Sequence, residues 1–202
     1  MQISKTDFDN FERRYRANFF NTLSGLKSAN LLGTINSKHK TNLAVFNSVI
    51  HLGANPPLMG FILRPTTVER HTYENIKSQG YYTINHINEN IIDAAHQTSA
   101  KYEVAISEFN QVDLSPEFSS DFSAPFVKES LIKIGLTYKT DYLIKENDTR
   151  LVVGEVNQVH LPESIIADDG SILWEKAGTV GISGLDSYLS CKTVKKLPYA
   201  KP

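Results

Sequence analysis

Two kinds of periodicity alternate along this 202-residue chain. From Thr6 to Phe20 the aromatic residues Phe8, Phe11, Tyr15 and Phe19 recur at spacings of three and four behind Asp7 and Asp9. That spacing, with acidic residues in the first turn, predicts an amphipathic helix, which Gly25 closes. The pattern then shortens to strand length. Ala29–Asn36, Leu43–Leu52 (anchored by Val45, Val49 and Leu52) and the nearly all-apolar Leu58–Leu63 read as strands. Ser37-Lys38-His39-Lys40 is the first turn. Asn55-Pro56-Pro57 ends the second strand, because proline has no N–H to give to a sheet ladder. Thr72 has the hydroxyl of an N-cap for a short helix, Tyr73–Ser78, that Gly80 terminates. Tyr81–His86 is a fourth strand. Asn88–Ala100 reads as a helix with Ile91, Ile92 and Ala95 on one face, and Lys101–Glu108 continues it or turns.

Gln111–Lys128 has little periodicity and carries Ser-Pro-Glu-Phe and Ser-Ala-Pro-Phe. It reads as a functional loop or an arm packed on a partner. From Glu129 to Lys145, Ile132, Ile134, Leu136 and Tyr138 alternate with Lys133, Gly135, Thr137 and Lys139, the period of a strand. Asn147-Asp148 is a hairpin turn, and Arg150–Leu161 returns. Asp168-Asp169-Gly170 marks a later turn. Turns and hairpins join the strands more often than helical crossovers do. The expected fold is therefore mainly β, an antiparallel barrel with peripheral α-helices in one domain spanning 1–202. No GxGxxG follows a strand, which argues against a doubly wound dinucleotide-binding unit.

A 41% hydrophobic, 21% charged composition supports a real core, and the net charge of −1 gives no general attraction to nucleic acid or anionic lipid. The N-terminus carries no apolar signal segment and no run approaches membrane-spanning length, so the expected location is cytoplasmic. The single cysteine, Cys191, excludes an internal disulfide or a multi-cysteine zinc site. The six histidines lack HExxH or paired ligand spacing. His86 reads as a satisfied surface residue.

Candidate chemistry concentrates between Thr41 and Ile76. Arg70 and His71 precede Thr72 at a helix start, where unpaired N–H groups and the positive dipole end attract phosphate. Asn42-Leu43-Ala44, Asn47 and Ser48 offer amide and hydroxyl groups to a polar ring edge, and Arg64 lies within reach at the end of the third strand. The same residues admit a plain reading: Thr72 as a cap, Arg70 as a solvated charge, Asn42 as a turn residue.

The order Asn42-Leu43-Ala44-Val45-Phe46-Asn47, Asn55-Pro56-Pro57-Leu58, then Arg70-His71-Thr72-Tyr73-Glu74-Asn75-Ile76 resembles the flavin reductase-like family with the FMN-binding split-barrel fold. Gly80-Tyr81-Tyr82-Thr83-Ile84-Asn85, Leu151-Val152-Val153-Gly154-Glu155-Val156 and Gly184–Tyr188 resemble its later motifs. The resemblance implies a six-stranded antiparallel barrel, a homodimer with FMN near the interface, and electrons passed through FMN, with NAD(P)H as donor. Residue by residue it implies that Asn42, Leu43, Ala44 and Val45 line the flavin, with Asn47 and Ser48 beside them. Arg70, His71 and Thr72 stand where the family binds phosphate, and Asn30 is a further ring-edge candidate. Three departures stand out. Val45 replaces a proline and loosens the loop. His71 replaces an aspartate and makes the site more positive when protonated. Thr149 stands where reductases that take hydride from NAD(P)H often carry histidine. That last change motivates an alternative, a flavin carrier or sensor of the same fold without efficient turnover. A third reading is a barrel-shaped interaction protein with no cofactor.

Overall fold

The computed structural model describes residues 1–103 and 105–201. Two helices, α1 (Lys5–Asp9) and α2 (Arg13–Leu23), open the chain where one was expected. The break falls where Glu12 turns its carboxylate back onto the amides of Arg14 and Tyr15 and caps α2. The strands that follow are β1 (Lys27–Ser28), β2 (Asn30–Ile35), β3 (Thr41–Phe46), β4 (Val49–Ala54) and β5 (Pro57–Leu63). Next come α3 (His71–Gln79), β6 (Tyr81–His86) and α4 (Ile92–Gln97). The hairpin β7 (Pro116–Ser119) and β8 (Phe122–Val127) leads into the long strands β9 (Lys133–Ile144) and β10 (Thr149–His160), and β11 (Val180–Ser183) and β12 (Ser187–Ser190) end the fold.

One antiparallel sheet of seven strands, β3-β2-β6-β9-β10-β5-β4, carries the architecture. Its two edge strands, β3 and β4, are consecutive in the chain, so the segment Asn47-Ser48 carries the backbone from one end of the sheet to the other and bends it into a split barrel. This is where the expected six strands become seven: the stretch Leu43–Leu52 turns a corner. Ser48 makes the corner. Its Oγ donates to the Ile62 carbonyl at 2.9 Å and accepts the Ile62 N–H at 3.2 Å, standing in for a ladder partner.

Leu32, Phe61, Tyr82, Ile84, Leu136 and Val152 fill the barrel, and Ile76 of α3 plugs it. Each such side chain, fully buried, contributes roughly 1.5–3 kcal/mol. A second core, Leu31, Leu43, Ile87, Ala95, Phe109, Val180 and Ile182, lies beneath the other face of β2 and β3. Two glycines permit close approaches. A Cβ on Gly154 would stand 2.3 Å from the Tyr82 hydroxyl, and one on Gly33 would stand 2.2 Å from the Pro125 carbonyl.

The segment Gln111–Lys128 is a hairpin. Its irregular pattern has a cause: β8 is buried on both faces except at Ser123, so it shows no alternation. Thr83 Oγ1 donates to the Pro125 carbonyl at 2.6 Å, and the Val127 N–H donates to Asn85 Oδ1 at 3.0 Å. The expected helix Asn88–Ala100 is shorter, a 3-10 turn at Glu89–Ile91 running into α4, with Asn88 capping the turn through the Asn90 amide. The segment Lys101–Glu108 includes Val104, which lies outside the described residues; its end forms a 3-10 turn, Glu108–Asn110.

Candidate functional site

The start of α3 is tied to the barrel by two buried amide–hydroxyl bonds. Asn42 Nδ2 donates to Thr72 Oγ1 at 3.1 Å, and Asn75 Nδ2 donates to Thr34 Oγ1 at 3.1 Å. Thr34 and Asn42 are register partners across β2 and β3, so both bonds rise from one sheet position. A buried polar group left without a partner costs about 1–3 kcal/mol, which makes this pairing a strong constraint on the helix.

The capping role expected of Thr72 is corrected. The helix begins at His71 with Arg70 in the N-cap position, and no side chain caps it. Thr72 is the second helical residue, its hydroxyl turned inward to meet Asn42. Tyr73 and Glu74 donate their N–H groups to the Arg70 carbonyl at 2.8 and 3.0 Å, so in the first turn the N–H groups of His71 and Thr72 are the ones with neither intrahelical partner nor side-chain cap. Arg70 commits its Nε to the Pro65 carbonyl at 3.2 Å, and its terminal nitrogens have no partner among the described residues. His71 is half-buried beside them, and Arg64 is exposed just past β5. A cleft of about 70 Å³ runs past Asn42, His71, Lys40 and Asn75. Glu69 and Glu74 line it as well, so its field is mixed rather than uniformly positive.

The remaining expected residues sit elsewhere. Asn47 Nδ2 donates to the Gly184 carbonyl at 2.7 Å, and Ser48 holds the barrel corner. Asn30 is opposite Phe46, at that same end of β3. Five residues of strand separate Asn42 from Asn47, about 17 Å at 3.4 Å per residue. The set thus falls into two groups at opposite ends of β3. Leu43 lies fully buried in the second core, and its N–H, on the outer edge of β3, donates to Glu108 Oε2 at 2.9 Å. Ala44 faces the barrel opposite Leu32, and Val45 packs on the second core.

Three residues outside the expected site set bear on this region. Glu108 is buried against the edge of β3; burial raises its carboxyl pKa, against the pull of the Leu43 N–H, its own amide and His71. Asp141 on β9 collects four donors: Tyr138 Oη at 2.6 Å, Arg150 Nη1 at 2.6 Å, Tyr73 Oη at 3.1 Å and Lys77 Nζ at 3.2 Å. Burial works to raise its pKa, but these bonds outweigh it and hold the carboxyl at about 2. Tyr73 and Lys77 both belong to α3, so Asp141 fixes the far side of that helix to the β9–β10 hairpin. His86 is no surface residue. Its ring stacks on Trp174 at 5.2 Å and 5°, and burial lowers its pKa to about 4, so it is neutral at pH 7. Its Nδ1 and the Oδ1 of Asn30, its register partner, are buried without hydrogen-bond partners in the described structure. The one sequence signal that could have found the Asp141 hub is an Asp placed inside a long strand.

The model of the flavin reductase like domain matches residues 26–183. Among solved structures, a split-barrel protein from Shewanella frigidimarina NCIMB 400, assigned as a flavin reductase, is 48% identical and superposes with a TM-score of 0.95, covering 99% of this chain and 100% of that one. Nitrilotriacetate monooxygenase component B from Bacillus cereus shares the fold at 19% identity and a TM-score of 0.85, with 98% of each chain covered. Flavoredoxin of Desulfovibrio vulgaris (Miyazaki F) does so at 20% identity and a TM-score of 0.75, over 87% of this chain and 92% of that one. With an antiparallel split barrel in hand and the family model spanning most of its length, this chain belongs to the flavin reductase-like family.

Proposed function

We propose that the protein is an FMN-binding oxidoreductase that passes electrons through FMN, with NADH or NADPH as donor. The observation that carries this reading is the uncapped start of α3. The free N–H groups of His71 and Thr72 are fixed by the Asn42–Thr72 bond, and the Arg70 guanidinium beside them is oriented by the Pro65 carbonyl. That donor set suits a phosphate: fixed backbone donors at the positive end of a helix plus a planar guanidinium able to bind two oxygens. Arg70, His71 and the first turn of α3 would hold the phosphate, and Asn42 and Thr72 would position them. Along β3, Ala44 and Val45 present the backbone that leads from phosphate toward ring. Asn47 and Ser48 would act there by fixing the strand, since both side chains are committed to main-chain partners. When bound, FMN supplies the two-electron chemistry; the chain supplies position, an apolar wall and exclusion of water.

The reading includes a homodimer. The cleft beside α3 measures about 70 Å³, far below the roughly 300–1,000 Å³ of ordinary ligand pockets. A second subunit would complete the walls. Ile50, Leu52 and Tyr142, exposed on the outer side of the β4–β5–β10–β9 sheet, suit such a contact. None of the described helices is long and apolar enough to cross a membrane.

The carrier reading draws on Thr149, whose hydroxyl and N–H both bond Asn147 Oδ1 within the hairpin turn, offering no imidazole there. One experiment separates the two. The absorbance spectrum of freshly purified protein is recorded, and NADH and NADPH are then added without oxygen. The reductase reading expects a flavin spectrum that one nicotinamide bleaches within seconds. A flavin spectrum that neither changes supports the carrier; a protein that takes up no FMN overturns both.

A further inference from the structure

A groove of about 710 Å³ lies between the β2–β3 turn and the tip of the β7–β8 hairpin and shares no lining residue with the α3 cleft. That volume falls within the roughly 300–1,000 Å³ of ordinary ligand pockets. Two aromatic rings line it. Tyr81 is 38% exposed, and its ring stands edge-to-face against buried Phe122 at 5.4 Å. Phe122 in turn packs on buried Phe126 at 5.6 Å, so Tyr81 is the exposed end of a fixed column of rings. Phe118, 52% exposed, supplies the second ring.

The hairpin that carries Phe118 is anchored. Ser119 pairs with Phe122 around the turn Ser120-Asp121, and Thr83 and Asn85 hold the β8 backbone at Pro125 and Val127. Glu117 forms an ion pair with Lys133 of β9. The ladder is interrupted between Glu117 and Ser119, and Phe118 stands at the interruption. Irregularities of this kind re-aim side chains; here one leaves a large apolar ring facing water rather than the core.

The polar lining decides what these rings can take. Asp121 is the one acid and His39 the one base among the lining residues, and the other polar side chains besides Tyr81 are the serine hydroxyls of the hairpin. Neither lysine nor arginine lines the groove, and Lys40 belongs to the α3 cleft instead. An aromatic face presents negative charge density, and carboxylate and hydroxyl oxygens accept hydrogen bonds. The lining is therefore electron-rich everywhere except at His39. An anionic ligand meets no permanent cation in it. A cation with an apolar body meets two π faces and a counter-charge.

We infer that this groove binds a small organic cation, an alkylammonium or arylammonium group seated against the rings of Phe118 and Tyr81 with Asp121 as its counter-ion. The site uses none of the residues proposed to hold FMN and stands apart from that reading.

Benzyltrimethylammonium serves as the probe, titrated calorimetrically into the full-length protein at pH 8 and low salt, where an exposed ion pair is least screened. Choline and its uncharged carbon isostere, 3,3-dimethylbutan-1-ol, separate charge from shape. The variants are Phe118→Leu, which keeps an apolar side chain and removes the π face, and Asp121→Asn, which keeps the shape and removes the charge. Both positions are exposed on the hairpin, and circular dichroism confirms that the variants fold. The expected result is saturable binding of one benzyltrimethylammonium per chain at or below about 1 mM, weakened at least about threefold by each variant. Choline should bind at least about fivefold more tightly than 3,3-dimethylbutan-1-ol. FMN affinity, read by quenching of flavin fluorescence, should be the same in wild type and Phe118→Leu. No saturable binding of benzyltrimethylammonium up to about 10 mM, equal affinities for choline and its neutral isostere, or binding that either variant leaves untouched overturns the proposal.

Discussion

Replacing Asp141 by Asn keeps the shape of the side chain and removes the charge at the hub. The carboxyl side chain is only 8% exposed and faces two tyrosines, a lysine and an arginine. Its pKa falls from an ordinary 3.8 to about 2. At about 1.4 kcal/mol per tenfold, the ionised form gains roughly 2.5 kcal/mol from folding. Because the folded pKa is depressed, this contribution is complete above the unfolded value and fades as pH falls toward 2; at pH 3 roughly half remains. In the variant one amide hydrogen also points at groups that were donors. Urea unfolding followed by circular dichroism at pH 6 and pH 3 measures the difference. The variant should be less stable by about 2–3 kcal/mol at pH 6, equivalent to about 5–10 °C in midpoint for a chain of this size. The gap should narrow by about half at pH 3. A gap below about 0.5 kcal/mol at pH 6, or one of equal size at both pH values, would refute the reasoning.

Other expectations follow from the same contacts. Gly154→Ala drives a methyl into the hydroxyl of fully buried Tyr82, which should cost about 1–3 kcal/mol in a urea titration; an unchanged midpoint would mean that Tyr82 moves freely. The raised pKa of Glu108 means that the folded chain binds more protons than the unfolded chain. Wild-type stability should therefore decline as pH rises from about 4.5 through the raised value. Glu108→Gln should flatten that decline, and parallel pH profiles for the two proteins would exclude the assignment. Because Asp141 anchors α3 through Tyr73 and Lys77, Asp141→Asn should also weaken FMN binding, read by fluorescence quenching; an unchanged FMN affinity would exclude that link.

Where one face of an element met water and the other met the core, the pattern identified it. Tyr81–His86 appears with its expected bounds, and the β9–β10 hairpin turns where Asn147-Asp148 required, with Asp148 at φ 57°. Elements set by long-range partners were not legible. The corner at Ser48 depends on Ile62, fourteen residues away, so β3 and β4 read as one strand. The strand β8 lies between other elements, and its proline-bearing, doubly buried stretch resembled a loop. In the candidate site, Arg70, His71 and Thr72 do gather with Asn42. The inward turn of Thr72 was hidden because it answers the buried amide of Asn42, thirty residues earlier. Leu43 carried a sequence signal of the right kind in the wrong place: its side chain belongs to the core and its N–H to Glu108, sixty-five residues on.

The central claim is that the first turn of α3, with Arg70, grips the phosphate of FMN. Fluorescence titration of wild type and Arg70→Ala with FMN and with riboflavin, which lacks the phosphate, tests it most directly. The account predicts that wild type binds FMN at least tenfold more tightly than riboflavin, that Arg70→Ala loses most of that advantage, and that riboflavin affinity is the same in both proteins. Equal affinities of wild type for FMN and riboflavin, or an FMN preference that survives the loss of Arg70, would contradict it.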